Sequence, residues 1–333
     1  MKAEEWEKLA ENRIKKILDV RRICSQSQLE AKISEAGPPK LRPNPGILRK
    51  ARRTLKNRGD IREIRFNGMD IPFYTLSSSN SQQDKKRYDH IKQTYKTFLK
   101  YTYTPKLCGE VAEGVVHKAI LDSGSMTVYG SVENQLKVLN GVRILKGPLD
   151  FLIRCKKTGI ELGVEVKNKR RWYHQEDWEM WESIAKCVSI KVLPVFVCRK
   201  FNYLLYPQVF SIIGCFGFQL HNQFFHPSLE NKMRDVQHKD GLGFADIRFP
   251  QQVKNGFMPK PWHVKYFRDT IPENIESFYS RYKSCLPVLH KYLVEERFWE
   301  EPIDRELFKE FYDELFGGPQ GQEQPYNDWL EHL

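Results

Sequence analysis

No stretch of this 333-residue chain reaches the roughly 18 consecutive apolar residues of a membrane-spanning helix. The longest apolar segment, Val209 to Leu220, is broken by Gly214 and Gly217. The amino-terminal MKAEEWEKLAENR is charged and carries no hydrophobic signal-peptide core. Membrane insertion and secretion are therefore not expected, and an intracellular location, cytoplasm or nucleoid, is. Cys-x-x-Cys spacing is missing too. Seven cysteines (24, 108, 155, 187, 198, 215 and 285) are scattered and odd in number, which excludes a disulfide framework or zinc knuckle and predicts reduced core thiols. His221 and His226 lack the helical spacing of a metal pair and read as structural. Gly241-Leu242-Gly243 has none of the flanking residues of a phosphate loop, and no Ser/His/Asp or Cys/His arrangement stands out.

What is present is charge, unevenly spread. Lys and Arg number 54 against 42 Asp and Glu, a formal net of +12. Residues 1–100 carry a net of +12, 101–290 a net of +8, and 291–333 a net of −8. A basic front suggests a polyanionic partner. With 40% hydrophobic and 13% aromatic residues the chain can bury a sizeable core, and its length implies two or three units. In the acidic tail, Phe298, Phe308, Phe311 and Leu315 are spaced for a helix packed on the body.

Residues 1–76 read as three helices and a hairpin. Trp6, Leu9, Ile14, Ile17 and Leu18 form a stripe on a first helix over Met1 to Val20, and Ser25 can cap a second through Leu29 and Ile33. After the breaker GPPKLRPNPG, a third helix runs from Pro45 to Asn57 with Gly59 as its stop. Ile47, Leu48, Ala51 and Leu55 form its inward face, leaving Arg49, Lys50, Arg52, Arg53, Lys56 and Arg58 on its surface. Strands at Ile61–Phe66 and Ile71–Leu76 flank Asn67-Gly68-Met69-Asp70, a strong hairpin signal. The arrangement resembles a winged helix-turn-helix. That resemblance implies a third helix in the major groove of double-stranded DNA, with Arg49, Lys50, Arg52, Arg53 and Lys56 as contacts. Lys40 to Arg65 holds ten Lys/Arg and two acids, the footprint such docking needs. Residues 77–100 then supply a polar hinge, SSSNSQQD, and a basic helix over Lys85 to Lys100 that leads into a second unit.

The chemistry lies in that unit, residues 101–290. A helix opens at Gly109 and ends near Gly124. Then Leu149 to Cys155 and Ile160 to Val166 form a hairpin about CKKTG, centred between Lys157 and Thr158. That centre sets Asp150 opposite Glu165, with opposed Cβ atoms about 4.5–5.5 Å apart, and Lys167 on the same face two residues on. Two facing carboxylates repel unless a cation or proton lies between them. Oxygen ligands select Mg²⁺ or Mn²⁺, which can polarise a phosphate and acidify a bound water, while a lysine orients the water or steadies developing charge.

Pro148-x-Asp150 followed by Glu165-Val166-Lys167 resembles the PD-(D/E)xK signature of the restriction-endonuclease-like nuclease superfamily, with Leu149 standing between the Pro and the Asp. The resemblance covers about residues 105–200 and implies a mixed central sheet flanked by helices, an α+β or α/β core. It also implies that Asp150 and Glu165, with the Val166 carbonyl, hold Mg²⁺ or Mn²⁺ and that Lys167 assists the attacking water. The acid such nucleases often carry on their first helix maps to Glu110, with Glu113 as rival. A helix with Trp178, Trp181 and Ala185 on one face, then a buried strand over Ser189 to Cys198, continues the superfamily order as a βαβ crossover. The tryptophans read as core rather than base-stacking platforms. Asn168, Lys169, Arg170 and Arg171, in a turn after the catalytic strand, are candidates for backbone phosphates. The expectation is a metal-dependent DNA endonuclease: winged-helix reader (1–76), linker and basic helix (77–100), nuclease domain (101–290) and acidic helical tail (291–333). A homodimer is left open. The alternative is a DNA-binding regulator with a structural, non-catalytic nuclease-like domain.

Overall fold

The computed structural model describes residues 3–35, 41–65, 72–79, 85–131, 137–202, 205–238 and 241–317. They fall into two units, one drawn from Met1–Tyr103 and Ser228–Ile247, the other from Thr104–Pro227 and Arg248–Asn327.

In the first unit, α1 (Ala3–Arg21) buries Ala10, Ile14 and Leu18 on the expected stripe. A two-residue strand, β1 (Cys24–Ser25), leads into α2 (Gln26–Ile33). Ser25 Oγ accepts from the Gln28 amide at 3.2 Å and Gln28 Oε1 accepts from the Ser25 amide at 2.8 Å. This capping box satisfies two donors that a helix start leaves without partners. Gln28 Nε2 also donates to the Gly241 carbonyl at 3.1 Å, fastening the Ser228–Ile247 segment with its short helix α8 (Arg234–Gln237). In α3 (Pro45–Asn57), Asn44 Oδ1 accepts from the Ile47 amide at 2.8 Å, and Pro45 occupies the first turn, where no amide is needed.

Strands β2 (Ile61–Ile64) and β3 (Phe73–Leu76) pair antiparallel and are shorter than expected; β1 adds a third strand beside β3. The Asn67-Gly68-Met69-Asp70 turn lies outside the described residues. Helix α4 (Lys85–Thr102) packs within this unit, Tyr95 against Phe73 at 5.7 Å and Phe98 against Phe244 at 5.1 Å between ring centres. Two boundaries therefore differ from expectation. The basic helix belongs to the first unit because its apolar row is completed there, and residues 228–247 join it rather than the 101–290 domain.

The second unit is a mixed α+β body with a central sheet flanked by helices. Helix α5 (Gly109–Ser123) ends where Gly124 turns left-handed at φ 69°. Strand β4 (Met126–Ser131) follows, then a small hairpin, β5 (Val138–Leu139) and β6 (Val142–Arg143). Next come β7 (Phe151–Cys155), β8 (Glu161–Tyr173), α6 (Trp178–Ser189) and β9 (Leu193–Phe201). A turn, α7 (Ser211–Ile213), leads to β10 (Phe216–Gln219) and β11 (Gln223–Phe224). Past β12 (Ile247–Arg248), the hairpin β13 (Gln252–Val253) and β14 (Gly256–Phe257) precedes α9 (Pro261–Lys265), α10 (Ile271–His290) and α11 (Arg305–Phe316).

The sheet order is β10-β9-β8-β7-β4, antiparallel from β4 to β8 and parallel from β8 to β10, with α6 as the crossover between β8 and β9. Alternation along β7 assigns the faces. Phe151 stacks on His117 of α5, while Leu152 clusters with Cys187 of α6, so the two helices cover opposite faces. Trp181 is fully buried and meets Phe298 at 5.6 Å and Phe311 at 5.2 Å. The described part of the expected tail thus belongs to the core of this unit. Strand β4 was not foreseen, and β8 runs through Lys169, Arg170 and Arg171, so the expected turn there is strand.

Gln28 is buried and serves both Ser25 and Gly241. Gln28→Ala leaves two buried backbone groups without partners and should lower the unfolding free energy by about 2–4 kcal/mol. Urea denaturation checks this, and a loss below about 1 kcal/mol speaks against the fastening role.

Candidate functional site

The register of β7 on β8 pairs Phe151 with Val164 and Arg154 with Glu161. Carried one residue further, it sets Asp150 opposite Glu165, as the turn-centre argument expected. The Val166 amide donates to Asp150 Oδ2 at 2.6 Å, so the residue also expected to offer its carbonyl is tied to the first acid through its N–H. By alternation, Glu165 and Lys167 lie on the α6 face of β8.

Glu165 is 2% exposed, and each of its carboxylate oxygens accepts from a lysine: Oε2 from Lys167 at 2.9 Å and Oε1 from Lys186 at 2.7 Å. Lys186 sits on α6, is itself 8% exposed, and reaches the Pro148 carbonyl at 3.4 Å. One ammonium thus touches both halves of the motif, Pro148 before Asp150 and Glu165 on the partner strand. Sequence reasoning missed Lys186. Its signal was a charge inside the apolar run Ile184-Ala185-Lys186-Cys187-Val188, where a buried lysine requires a carboxylate.

The electrostatics link a third acid. Burial, then Glu165 and Glu113, push the Asp150 carboxyl well above its usual range, against Lys167 and the Val166 amide. Burial, then Glu110 and Glu165, raise Glu113 to about 7. Lys167 feels burial most, which lowers its proton affinity. Glu165 and Asp150 together outweigh that and raise it, so it stays a cation. Glu113 is therefore the α5 acid that interacts with Asp150, Glu165 and Lys167. Glu110, the expected one, is exposed in the first turn and acts on Glu113. Residues three apart share a helix face, and the later turn lies further in from the helix end.

Of the four residues expected to follow as phosphate contacts, Asn168, Lys169 and Arg171 have partners within the fold. Asn168 is 6% exposed; Nδ2 donates to the Cys108 carbonyl at 2.8 Å and the Phe224 carbonyl at 2.7 Å, and Oδ1 accepts from the Phe224 amide at 3.0 Å. It ties the start of α5 to β8 and β11 rather than facing a ligand. Lys169 and Arg171 both bind Glu179, Arg171 at 2.8 Å, and Arg171 adds Asp177 at 3.1 Å. Lys169 keeps an exposed side, and Arg170 and Arg171 are half-buried on the same strand.

On α3 the expected surface set divides. Arg52 is 5% exposed, its guanidinium 5.2 Å from the Tyr74 ring centre, because it falls in the row of Leu48, Ala51 and Leu55. It is a core residue, contrary to the expectation of a surface contact. Lys50 pairs with Glu7 at 3.2 Å and Lys56 with Glu63 at 2.7 Å. Arg49 and Arg53 are exposed and make no ion pair among the described residues.

Among the described residues, no group of three or more His, Cys, Asp or Glu side chains stands in metal-holding geometry. Both oxygens of Glu165 face ammonium groups, so a cation would have to displace one. All seven cysteines are free, six of them buried, and no described helix is long and apolar enough to cross a membrane. Set against family models, curated proteins and solved structures, the chain matches none.

The raised Glu113 fixes a pH dependence. Its folded pKa, about 7, exceeds the ordinary 4.5, so the folded state holds the proton longer and stability falls as pH rises between those values. In EDTA, Glu113→Gln should match the wild type near pH 4.5 and exceed it at pH 8, by about 2–4 °C in Tm for each kcal/mol relieved. A Tm difference independent of pH excludes Glu113 from the acidic cluster.

Proposed function

We propose that this chain is a Mg²⁺- or Mn²⁺-dependent DNA endonuclease, a winged-helix reader followed by a restriction-endonuclease-like catalytic body. The observation that carries the reading is the placing of Asp150 opposite Glu165 by the β7–β8 register, with Lys167 bonded to Glu165 at 2.9 Å in a mixed five-stranded sheet. The element order α5, β4, β7, β8, α6, β9 supports it. The chemistry of the donors suits a hard divalent ion, since all are carboxylate oxygens, but no three of them stand in metal-holding geometry among the described residues and Glu165 would have to release a lysine. Asp150, Glu165 and Glu113 would hold the ion, which would polarise a phosphodiester and acidify a water.

The chain's own residues set the rest. Lys167, kept protonated by Glu165 and Asp150, serves as a cation beside the phosphate rather than as a base. Lys186 holds the Glu165 carboxylate and the Pro148 carbonyl in one geometry. Asn168 fastens the start of α5, which carries Glu113. In the reader, the exposed Arg49 and Arg53 are the side chains available to base edges, because arginine can take guanine through two bonds. Lys50 and Lys56 sit in surface ion pairs worth about 1 kcal/mol or less, which a phosphate can exchange.

A non-catalytic regulator is the second reading, favoured by the double lysine pairing of Glu165 and the lack of a ready metal group among the described residues. Cleavage assays separate the two. Asp150→Asn, Glu165→Gln and Lys167→Ala should each reduce Mg²⁺-dependent nicking of plasmid DNA by about 100-fold or more, non-additively, with duplex binding retained. Nicking that persists in excess EDTA excludes the metal mechanism; no nicking with either ion favours the regulator. In the reader, Arg49→Ala and Arg53→Ala should weaken duplex binding. Each should flatten its salt dependence by about one unit where the contact is phosphate, or cost about 1–3 kcal/mol at one base position. Arg52→Met should instead leave the salt slope unchanged and alter thermal stability. Equal salt slopes in all three variants remove α3 from the interface.

A further inference from the structure

Beside the acidic face of α5 lies a cleft of ≈ 400 Å³, within the second unit. Its far wall is the β13–β14 hairpin, seated on α5 through two glycines. Gly256 has φ +136°, and a Cβ there would meet the Gly114 carbonyl oxygen at 2.4 Å; a Cβ on Gly114 would meet the Phe257 ring at 2.7 Å. Side chains at either position would lift the hairpin away, so the approach that walls the cleft depends on both.

The lining is aromatic and amide-edged. His117 stacks on Phe151 with centres 5.4 Å apart and planes 13° from parallel, and His226 meets Phe257 edge-on at 5.9 Å. Gln252 and Asn255 add exposed amides, and Glu110 and Glu113 border the cleft. A recess of this size holds a small planar group, not a duplex. Rings offer stacking to any base, and side-chain amides match the donor and acceptor edges that an unpaired base exposes.

We infer that this cleft receives a single unpaired nucleotide of the DNA next to the bond being cut. The inference rests on the nuclease reading and deepens it. The substrate class becomes DNA with an unpaired or extruded nucleotide, because a base stacked inside a duplex cannot enter such a recess. The rings and amides bind the base, and Glu113, which lines the cleft and interacts with Asp150 and Glu165, links it to the acids of the proposed cleavage site.

The test uses the full-length chain and two readouts. Duplexes with a one-nucleotide bulge of 2-aminopurine are titrated in Ca²⁺, where stacking in the cleft quenches the probe. Cleavage of bulged and fully paired duplexes is then compared in Mg²⁺. Phe257→Leu keeps an apolar group over Gly114 and removes the ring. Asn255→Gly removes an amide at a position whose φ is +67°, which glycine adopts without strain. The expected result is about tenfold faster cleavage of the bulged duplex, with about tenfold weaker binding and lost quenching in Phe257→Leu and a smaller loss in Asn255→Gly. Equal cleavage of both duplexes, with quenching unchanged in the variants, overturns the inference while the nuclease reading stands. Cleavage of neither duplex, with quenching that depends on Phe257, overturns the nuclease reading and upholds the cleft as a nucleotide site.

Discussion

The buried Glu165 carboxylate between two ammonium groups is the constraint on which the second unit depends. A charge taken out of water at 2% exposure is tolerable only when its oxygens are occupied, and Lys167 and Lys186 occupy one each. Lys167 comes free with the strand, two residues along the same face. Lys186 has to come from a helix, and that requires α6 to lie close on the sheet. Gly163 permits it, since a Cβ there would meet Cys187 Sγ at 2.6 Å and Leu149 Cδ1 at 2.8 Å. The absence of one side chain on β8 thus brings a lysine to the neighbouring acid.

The opposite face is organised by a different device. Asn168 spends its amide on Cys108 and Phe224, holding the start of α5 against β8. From that anchor the helix carries its acids at positions 110 and 113, the first exposed and the second half-buried, where it interacts electrostatically with Asp150 and Glu165. Burial first, and the neighbouring acids second, raise the proton affinity of Asp150 and Glu113, and Lys167 opposes both.

In the first unit the basic character of α3 is divided by burial. Arg52 lies against Tyr74 in the apolar row, and its burial lowers its proton affinity. Lys50 and Lys56 lean on Glu7 and Glu63. The unpaired, exposed charge of α3 is therefore narrower than its count of basic residues implies: among the described residues it centres on Arg49 and Arg53, four residues apart on one face.

The sequence by itself determined the local structure. Ser25 and Gln28 made a capping box, Pro45 opened α3, and the symmetry of the CKKTG turn set Asp150 against Glu165. These follow from short-range rules: a hydroxyl three residues from an amide, a ring that fits a first helical turn, a register counted from a turn. The choice of partners across the fold was not legible, because it depends on which helix lies over which strand. Periodicity could not tell Arg52 from its basic neighbours, since a row of three apolar residues leaves the width of the buried face open. Nor could it tell Glu113 from Glu110, which share a helix face, or find Lys186, 21 residues from Glu165 in the chain. Only tertiary structure decided those. A charge enters a core only where a second element supplies its counter-charge within hydrogen-bond reach, and that reach is a property of the folded chain.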